Sequence, residues 1–381
     1  MGRRRGSPRP LPGRHLGAAG GRPASRERRP PLAQPVSQPP PAHPPVAHPG
    51  EGSVLELGSW RAENVHVGQV LEVLADLRRA EQRSATRTFV VNLVVRAGDH
   101  AQAERACEAL HRLGSRHPGR TVVVVGPPHA NDGGGSSIDA EVVLHGAEAE
   151  GHRVWSEDVR LQVRGPLLDH LDSLVEPLTL PDLPVVAWFA GRPPDPGDPL
   201  LDAADAVIVD AKTEEPGGEK SLPSVVSLSR RNVVIDLSWI RLRPWRELLA
   251  GLFDSPILWP FLDGVSGAEV RGKSGPRLLL AGWLSSRLGL LGSQIHLIDS
   301  RHTSMHLAAE HEGSTATFHV ERREGERMVR ACADIEGGPT HEDRLSLPDD
   351  SLSWSLAQAL THLRHDRVHS QAVQAALALG G

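Results

Sequence analysis

Two nearly all-apolar, β-branched runs, Thr88–Val95 (TFVVNLVV) and Thr121–Val125 (TVVVV), stand either side of a stretch with helical periodicity. No other feature constrains the fold as strongly. A strand that is apolar on both sides has to be covered on both faces, as in a parallel sheet. Between the runs, Asp99 is placed to cap a helix, and Ala103, Ala106, Cys107, Leu110 and Leu113 share one stripe of it. Pro118 and Gly119 end that helix. Strand, helix and strand in this order predict parallel neighbours with a right-handed crossover.

The same reading extends the first half. A helix is expected from Ser53 to Arg83, with Val67, Val70, Leu71, Leu74 and Leu77 on one side. Strands are expected at Ala140–His145, Val154–Val163, Pro184–Phe189 and Ala206–Asp210, with a helix around Pro166–Glu176. The expected organisation is an α/β N-terminal sandwich domain over 53–212, including the leading helix, and a linker over 213–232. The linker carries Pro, Gly and charge. The second half, 233–381, changes rhythm. Val233–Leu242 alternates, placing Val233, Ile235, Leu237 and Trp239 on one strand face. Pro244 opens a helix carrying Trp245, Leu248, Leu249 and Leu252. An apolar helix is expected over Pro276–Leu288, then short alternating runs at Gln294–Asp299, Ser304–Glu310, Ala316–Glu321 and Arg327–Ile335. Asp349 or Asp350 is placed to cap a last helix through Leu363. This half reads as an α+β C-terminal domain with an antiparallel sheet.

Charge divides the chain differently. Residues 1–50 hold nine arginines, no lysine and Glu27 as their one acid. Against a whole-chain charge of −5, that leaves the body thirteen charges negative. An acidic body is a poor nucleic-acid surface, because phosphate contacts need Lys and Arg. The tail 1–52 is too poor in large apolar side chains to offset the entropy of ordering and is expected to be disordered. Its twin arginines precede no apolar region of export type. No apolar run is long enough to cross a bilayer. Two distant cysteines, Cys107 and Cys332, make neither a disulfide scaffold nor a zinc site, and a cytoplasmic location follows as the simplest expectation.

The chain carries few residue patterns that point to catalysis. Gly267–Ser274 (GAEVRGKS) has the letters of a phosphate loop, which supports an alternative reading as a nucleotide-binding enzyme or sensor. The context opposes it: Pro256 and Pro260 interrupt the strand that should lead in, and Gly275–Pro276 place the helix start beyond Ser274. Gly133–Gly135 reads as a flexible turn and His341–Asp343 as a polar turn. The histidines are scattered, so no metal or cofactor is expected. Recognition residues stand out instead. The stretch Asp236–Gly251 (DLSWIRLRPWRELLAG) carries two tryptophans and three arginines in a chain without tyrosine. Trp and Arg most often dominate binding energy at protein interfaces. Candidate partner-binding residues are Trp239, Arg241, Arg243, Trp245 and Arg246, with Trp188 and Arg192 beside a Pro-rich loop; the tryptophans can equally be core.

Four blocks carry a family resemblance: RSATRTFVVNLVV (83–95), LPDLPVVAWFAGRPP (180–194), DLSWIRLRPWRELLA (236–250) and LLLAGWLSSRLG (278–289). In their order and spacing the chain resembles the OpcA family, the glucose-6-phosphate dehydrogenase assembly proteins, over roughly residues 53–370. The resemblance implies a non-catalytic protein, not an enzyme, that binds glucose-6-phosphate dehydrogenase of the oxidative pentose phosphate pathway, promotes its active oligomer and activates it allosterically. It also implies thioredoxin-linked control through cysteines in some members. Here Cys107 and Cys332 are the candidates for such a redox role, although they form no close pair in sequence.

Overall fold

The computed structural model describes residues 55–80, 91–113, 119–128, 135–149, 152–212, 221–323, 325–348 and 351–380. The Arg/Pro tail, Thr88–Val90, Gly133, Gly134, residues 213–220, Asp349 and Asp350 lie outside them. The elements of the first sheet and its helices are β1 (Leu55–Ala62), α1 (Val67–Ala80), β2 (Asn92–Ala97), α2 (His100–His111), β3 (Arg120–Val125), β4 (Ser137–Ala149) and β5 (His152–Arg164). A 3-10 turn then leads to α3 (Leu171–Val175), β6 (Val185–Phe189), α4 (Leu200–Ala203), β7 (Ala206–Val209), α5 (Ser221–Leu228) and β8 (Val233–Asp236). The sheet order is β1-β4-β5-β3-β2-β6-β7-β8. All pairs from β5 to β8 are parallel, and β1 and β4 join antiparallel at one edge.

The apolar runs split by parity, as a pleated strand requires. Leu93, Val95, Val123, Val125, Val186, Trp188 and Ile208 face one side and pack with α2. Val94, Val122, Val124, Ala187, Phe189, Val207 and Val209 face the other, in a core that continues into the second sheet.

That second sheet is built from α6 (Leu237–Arg241), α7 (Arg243–Leu252), α8 (Trp259–Leu262), β9 (Val265–Gly272), α9 (Ser274–Leu288), β10 (Ile295–Asp299), β11 (Ser304–His311), β12 (Ser314–Arg322), β13 (Met328–Ile335), β14 (Thr340–Ser346), α10 (Leu352–Thr361) and α11 (Arg367–Leu379). Its order is β10-β9-β11-β12-β13-β14, parallel only at β9–β10. The fold is mixed α/β with two sheets, and Gly50–Gly381 form one compact unit.

Several elements correct the sequence reading. Residues 55–62, expected within a helix, form an edge strand. Gly58 and Ser59 are poor helix formers, and Asn64, at φ 52, turns the chain before α1. The expected linker holds α5. The expected strand Val233–Leu242 stops at Asp236. There a carboxylate oxygen accepts from Ser238 N at 2.8 Å and from Ala211 N at 3.1 Å, which caps α6 instead of continuing the ladder. His341–Asp343 lie in β14, and Ser351 caps α10 by accepting from Trp354 N. A further helix, α11, follows, with Asp366 as its cap.

Candidate functional site

The stretch Asp236–Gly251 forms the joint between the sheets. β8 delivers the chain to α6, α6 packs on α9 and α10, and α7 packs on β12, β13 and β14. Its tryptophans are core. Trp239 is buried and donates its indole N–H to Asp366 Oδ2 at 2.8 Å. Trp245 is buried and donates to the Thr303 carbonyl at 3.2 Å. Trp188, on β6 between β2 and β7, is only 1% exposed. The arginines divide. Arg246 stacks on Trp239; Arg241 bridges both Asp210 oxygens at 2.6 Å; exposed Arg243 pairs with Glu247 one turn on. Arg192 is exposed and pairs with Asp195, away from that joint.

Beside the joint, at the carboxyl ends of β7 and β8, lies a cavity of ≈ 580 Å³. Ligands of open α/β sheets characteristically sit outside such strand ends. Lys212 enters it just after β7, while Ser238, Arg241, Leu242 and Trp245 form the wall from α6 and α7. Lys273 and Pro276 come from the start of α9, and Arg301, His302 and Thr303 from the turn between β10 and β11. Arg322 and Arg327, flanking the β12–β13 connection, and Trp354 of α10 complete it. Six Lys and Arg side chains line the space, and no Asp or Glu does among the described residues. Asp210, just behind the wall, neutralises Arg241; Arg322 donates to the Glu326 carbonyl. Among the described residues Lys212, Lys273, Arg301 and Arg327 have no ion-pair partner. In a body thirteen charges negative this is a concentrated positive field.

Lys273 explains what the phosphate-loop letters amount to. Gly267–Gly272 are extended in β9, between β10 and β11, so no glycine-rich loop exists to wrap a phosphate chain. The segment that leads in, Pro256–Leu262, is helical as its two prolines demand, and α9 begins at Ser274, one residue ahead of the expected Gly275–Pro276 start. Gly272, at φ +149, makes the turn that delivers Lys273 to the cavity rim.

A second ≈ 600 Å³ crevice lies beyond β2 and β6, where the strand order reverses. Arg96 there is spent on the carbonyls of Ala97, Gly126 and Pro127, and Asp99, Asp169, Asp195 and Asp198 offset Arg192. Sequence reading also missed a cluster of His111, His145 and Asp158, which offer three ligand atoms within 4.8 Å of one another. Only β4–β5 pairing and the end of α2 bring them together, and no spacing signals that. The hydrogen bond to Asp158 holds the His111 imidazolium above its ordinary pKa.

The cysteines are both free and half-buried, one on α2 and one on β13. Burial pushes the Cys107 thiol up. Cys332 is pushed up to about 11 by burial and by its hydrogen bond to Asp334. Thiolate, the reactive form, is correspondingly scarce at neutral pH.

Comparison with known proteins adds the family. Residues 110–224 match the family model described as glucose-6-phosphate dehydrogenase subunit N-terminal domain, and residues 202–373 match the corresponding C-terminal domain. The chain belongs to the OpcA family of glucose-6-phosphate dehydrogenase assembly proteins. It is similar to the OxPP cycle protein OpcA of Synechocystis sp., at 29% identity over 141 residues, and to that of Nostoc punctiforme, at 31% over 144. Each match covers 35% of this chain and 30% of the relative, so the alignable part is under a third of the relatives' length. The two family models together take in the whole second sheet, the first sheet except β1 and β2, and every wall of the cationic cavity. No helix among the described residues is long and apolar enough to cross a membrane.

Proposed function

We propose that this chain is a non-catalytic partner that docks on glucose-6-phosphate dehydrogenase and favours its active state. The observation that carries the reading is the pair of family domains running together over residues 110–373. As an allosteric activator, the chain acts through the difference between its affinities for two states of the enzyme. A coupling of about 1–3 kcal/mol changes substrate affinity roughly 5- to 150-fold.

The contact we infer is the segment between α7 and β9. Ile257, Trp259 and Leu262 are 48%, 58% and 39% exposed, and Phe261 beneath them is buried beside His311. Neighbouring large apolar side chains left in water mark interaction surfaces, and a central Trp is the commonest anchor of one. Exposed Arg243 and Arg192 carry only surface ion pairs, which cost little to exchange for a partner's carboxylates.

Co-elution of the two proteins, and dehydrogenase assays across glucose 6-phosphate concentrations with and without the chain, test the proposal. A lowered KM or raised kcat with co-elution is expected. Unchanged kinetics and separate elution would overturn it.

A further inference from the structure

The cationic cavity has a chemistry that docking on an enzyme does not require. Lys212 and Lys273 are two of the chain's three lysines, and both reach the same space from different sheets. Arg301 and Arg327 join them from the second sheet, none of the four with an ion-pair partner among the described residues. Holding four like charges around one concavity costs stability through repulsion, and an anion between them removes that cost. The walls come from the segment after β7, α6, α7, α9, two strand connections and α10, so the cluster is not an accident of one surface helix.

We propose that this cavity binds a soluble phosphorylated small molecule. Its size falls within the range of small-molecule sites, about 300–1,000 Å³, and leaves room for more than a lone phosphate. Lys273 and Arg301, exposed at the rim, suit the phosphate oxygens, since Lys and Arg are the usual partners of that group. The first turn of α9, which borders the cavity at Pro276, adds the positive end of a helix dipole. Half-buried Trp354 offers an apolar face to the rest of the ligand, as the ring-bearing part of a sugar phosphate needs. Ser238, behind Arg241, is already hydrogen-bonded to Asp210, so the cavity floor is fixed before a ligand arrives. The ligand is therefore a metabolite whose phosphate sits toward Lys273 and Arg301 and whose uncharged body lies toward Trp354. No chemistry on it is implied.

The test is calorimetric titration of the full chain, without the dehydrogenase, by inorganic phosphate, glucose 6-phosphate, glucose and a polyglutamate peptide. Expected is saturable binding of glucose 6-phosphate, competed by phosphate, with no binding of glucose. Affinity should fall at least about tenfold in Lys273→Gln and further in the double variant with Arg301→Gln. Urea midpoints of both variants should be no lower than the parent's, because both side chains are exposed and their loss relieves repulsion. No binding of either phosphate compound, equal binding of sugar and sugar phosphate, or binding unaffected in the double variant overturns the inference. So does binding of polyglutamate alone, which would make the cavity a docking point for acidic protein. The chain is titrated by itself, so the result stands apart from whether it engages the dehydrogenase.

Discussion

The guanidinium carbon of Arg246 lies 3.4 Å from the centroid of the Trp239 ring, and an Arg246 nitrogen donates to the Trp239 carbonyl at 2.9 Å. The same indole gives its N–H to Asp366, the residue that caps α11 through Val368 N and His369 N. One stack therefore ties α6, α7 and α11 together where the sheets join. Burial draws the Arg246 pKa down to about 10, opposed by the charges of Asp366 and Glu247, so the guanidinium over the ring stays charged at neutral pH.

A desolvated cation over an indole is coupled to it by about 1–2 kcal/mol. Arg246→Met, Trp239→Leu and the double variant, compared by urea unfolding, should show a coupling of about 1 kcal/mol. A value near zero would mean that the two side chains are only neighbours.

Asp366 sets an acid limit. Burial acts to raise its pKa, but the hydrogen bonds from His369 N and Trp239 and the charge of His369 outweigh it and leave the carboxyl below its usual 3.8. A carboxyl depressed by folding contributes stability that is present in full above the unfolded value and is lost as pH falls through the folded one. Unfolding free energy should drop on acidification below about pH 4. Asp366→Asn should be less stable at pH 7 and show a shallower acid limb in chemical denaturation.

Strand and helix existence was legible wherever one period dominated. TVVVV could only be a covered strand, and Trp245, Leu248, Leu249 and Leu252 are buried on α7 as their spacing demands. The failures share a cause: local chemistry overruled the period. Val233–Leu242 alternates on paper, but Asp236 offers the backbone a cap, and a cap followed by LSWIR nucleates a helix. β9 was hidden by two glycines and a charged pair, GAEVRG, whose strand character comes from its neighbours β10 and β11. The cationic cavity was not legible, because its residues lie from 212 to 354 and converge only in the fold. Trp259 was visible as a letter, but only its short helix shows that it is the tryptophan left in water.

Gly282 lies where α9 packs against α11. A Cβ there would meet the Ala372 carbonyl and would sit 2.7 Å from Ala376 N, both backbone atoms that cannot step aside. Gly282→Ala gains helix propensity of about 1 kcal/mol, yet overpacking of about 1–3 kcal/mol should win. A lower melting temperature is expected, whereas a rise would show that α11 can move away.

Trp259 should matter to association and little to folding. Its Nε1 donates to the Phe253 carbonyl at 2.6 Å, a bond that water can replace at a 58% exposed site. Trp259→Ala should change the urea midpoint little while weakening dehydrogenase binding by about 2 kcal/mol, roughly thirtyfold, as loss of an interface anchor does. Surface plasmon resonance on the two proteins decides it; equal affinity would move the docking face elsewhere.

The largest single effect on folding should come from Glu157 of β5. It is 1% exposed and accepts from Arg78 at 2.5 and 2.7 Å and from Arg120 Nε at 2.8 Å, while Arg120, itself 3% exposed, also donates to the Leu178 carbonyl. The pair lies between β3 and β5, so one carboxylate holds α1, the sheet and the turn after α3 at once. Breaking a buried ion pair leaves an uncompensated charge and costs about 3–5 kcal/mol, whereas an exposed pair contributes about 0–1 kcal/mol. Glu157→Gln keeps the shape and removes the charge, so it isolates that term from packing. It should lower stability by several kcal/mol, while Asp76→Asn, which removes the exposed partner of Arg79, should be close to neutral. Equal effects of the two changes in urea unfolding would show that Arg120 finds water once its carboxylate is gone.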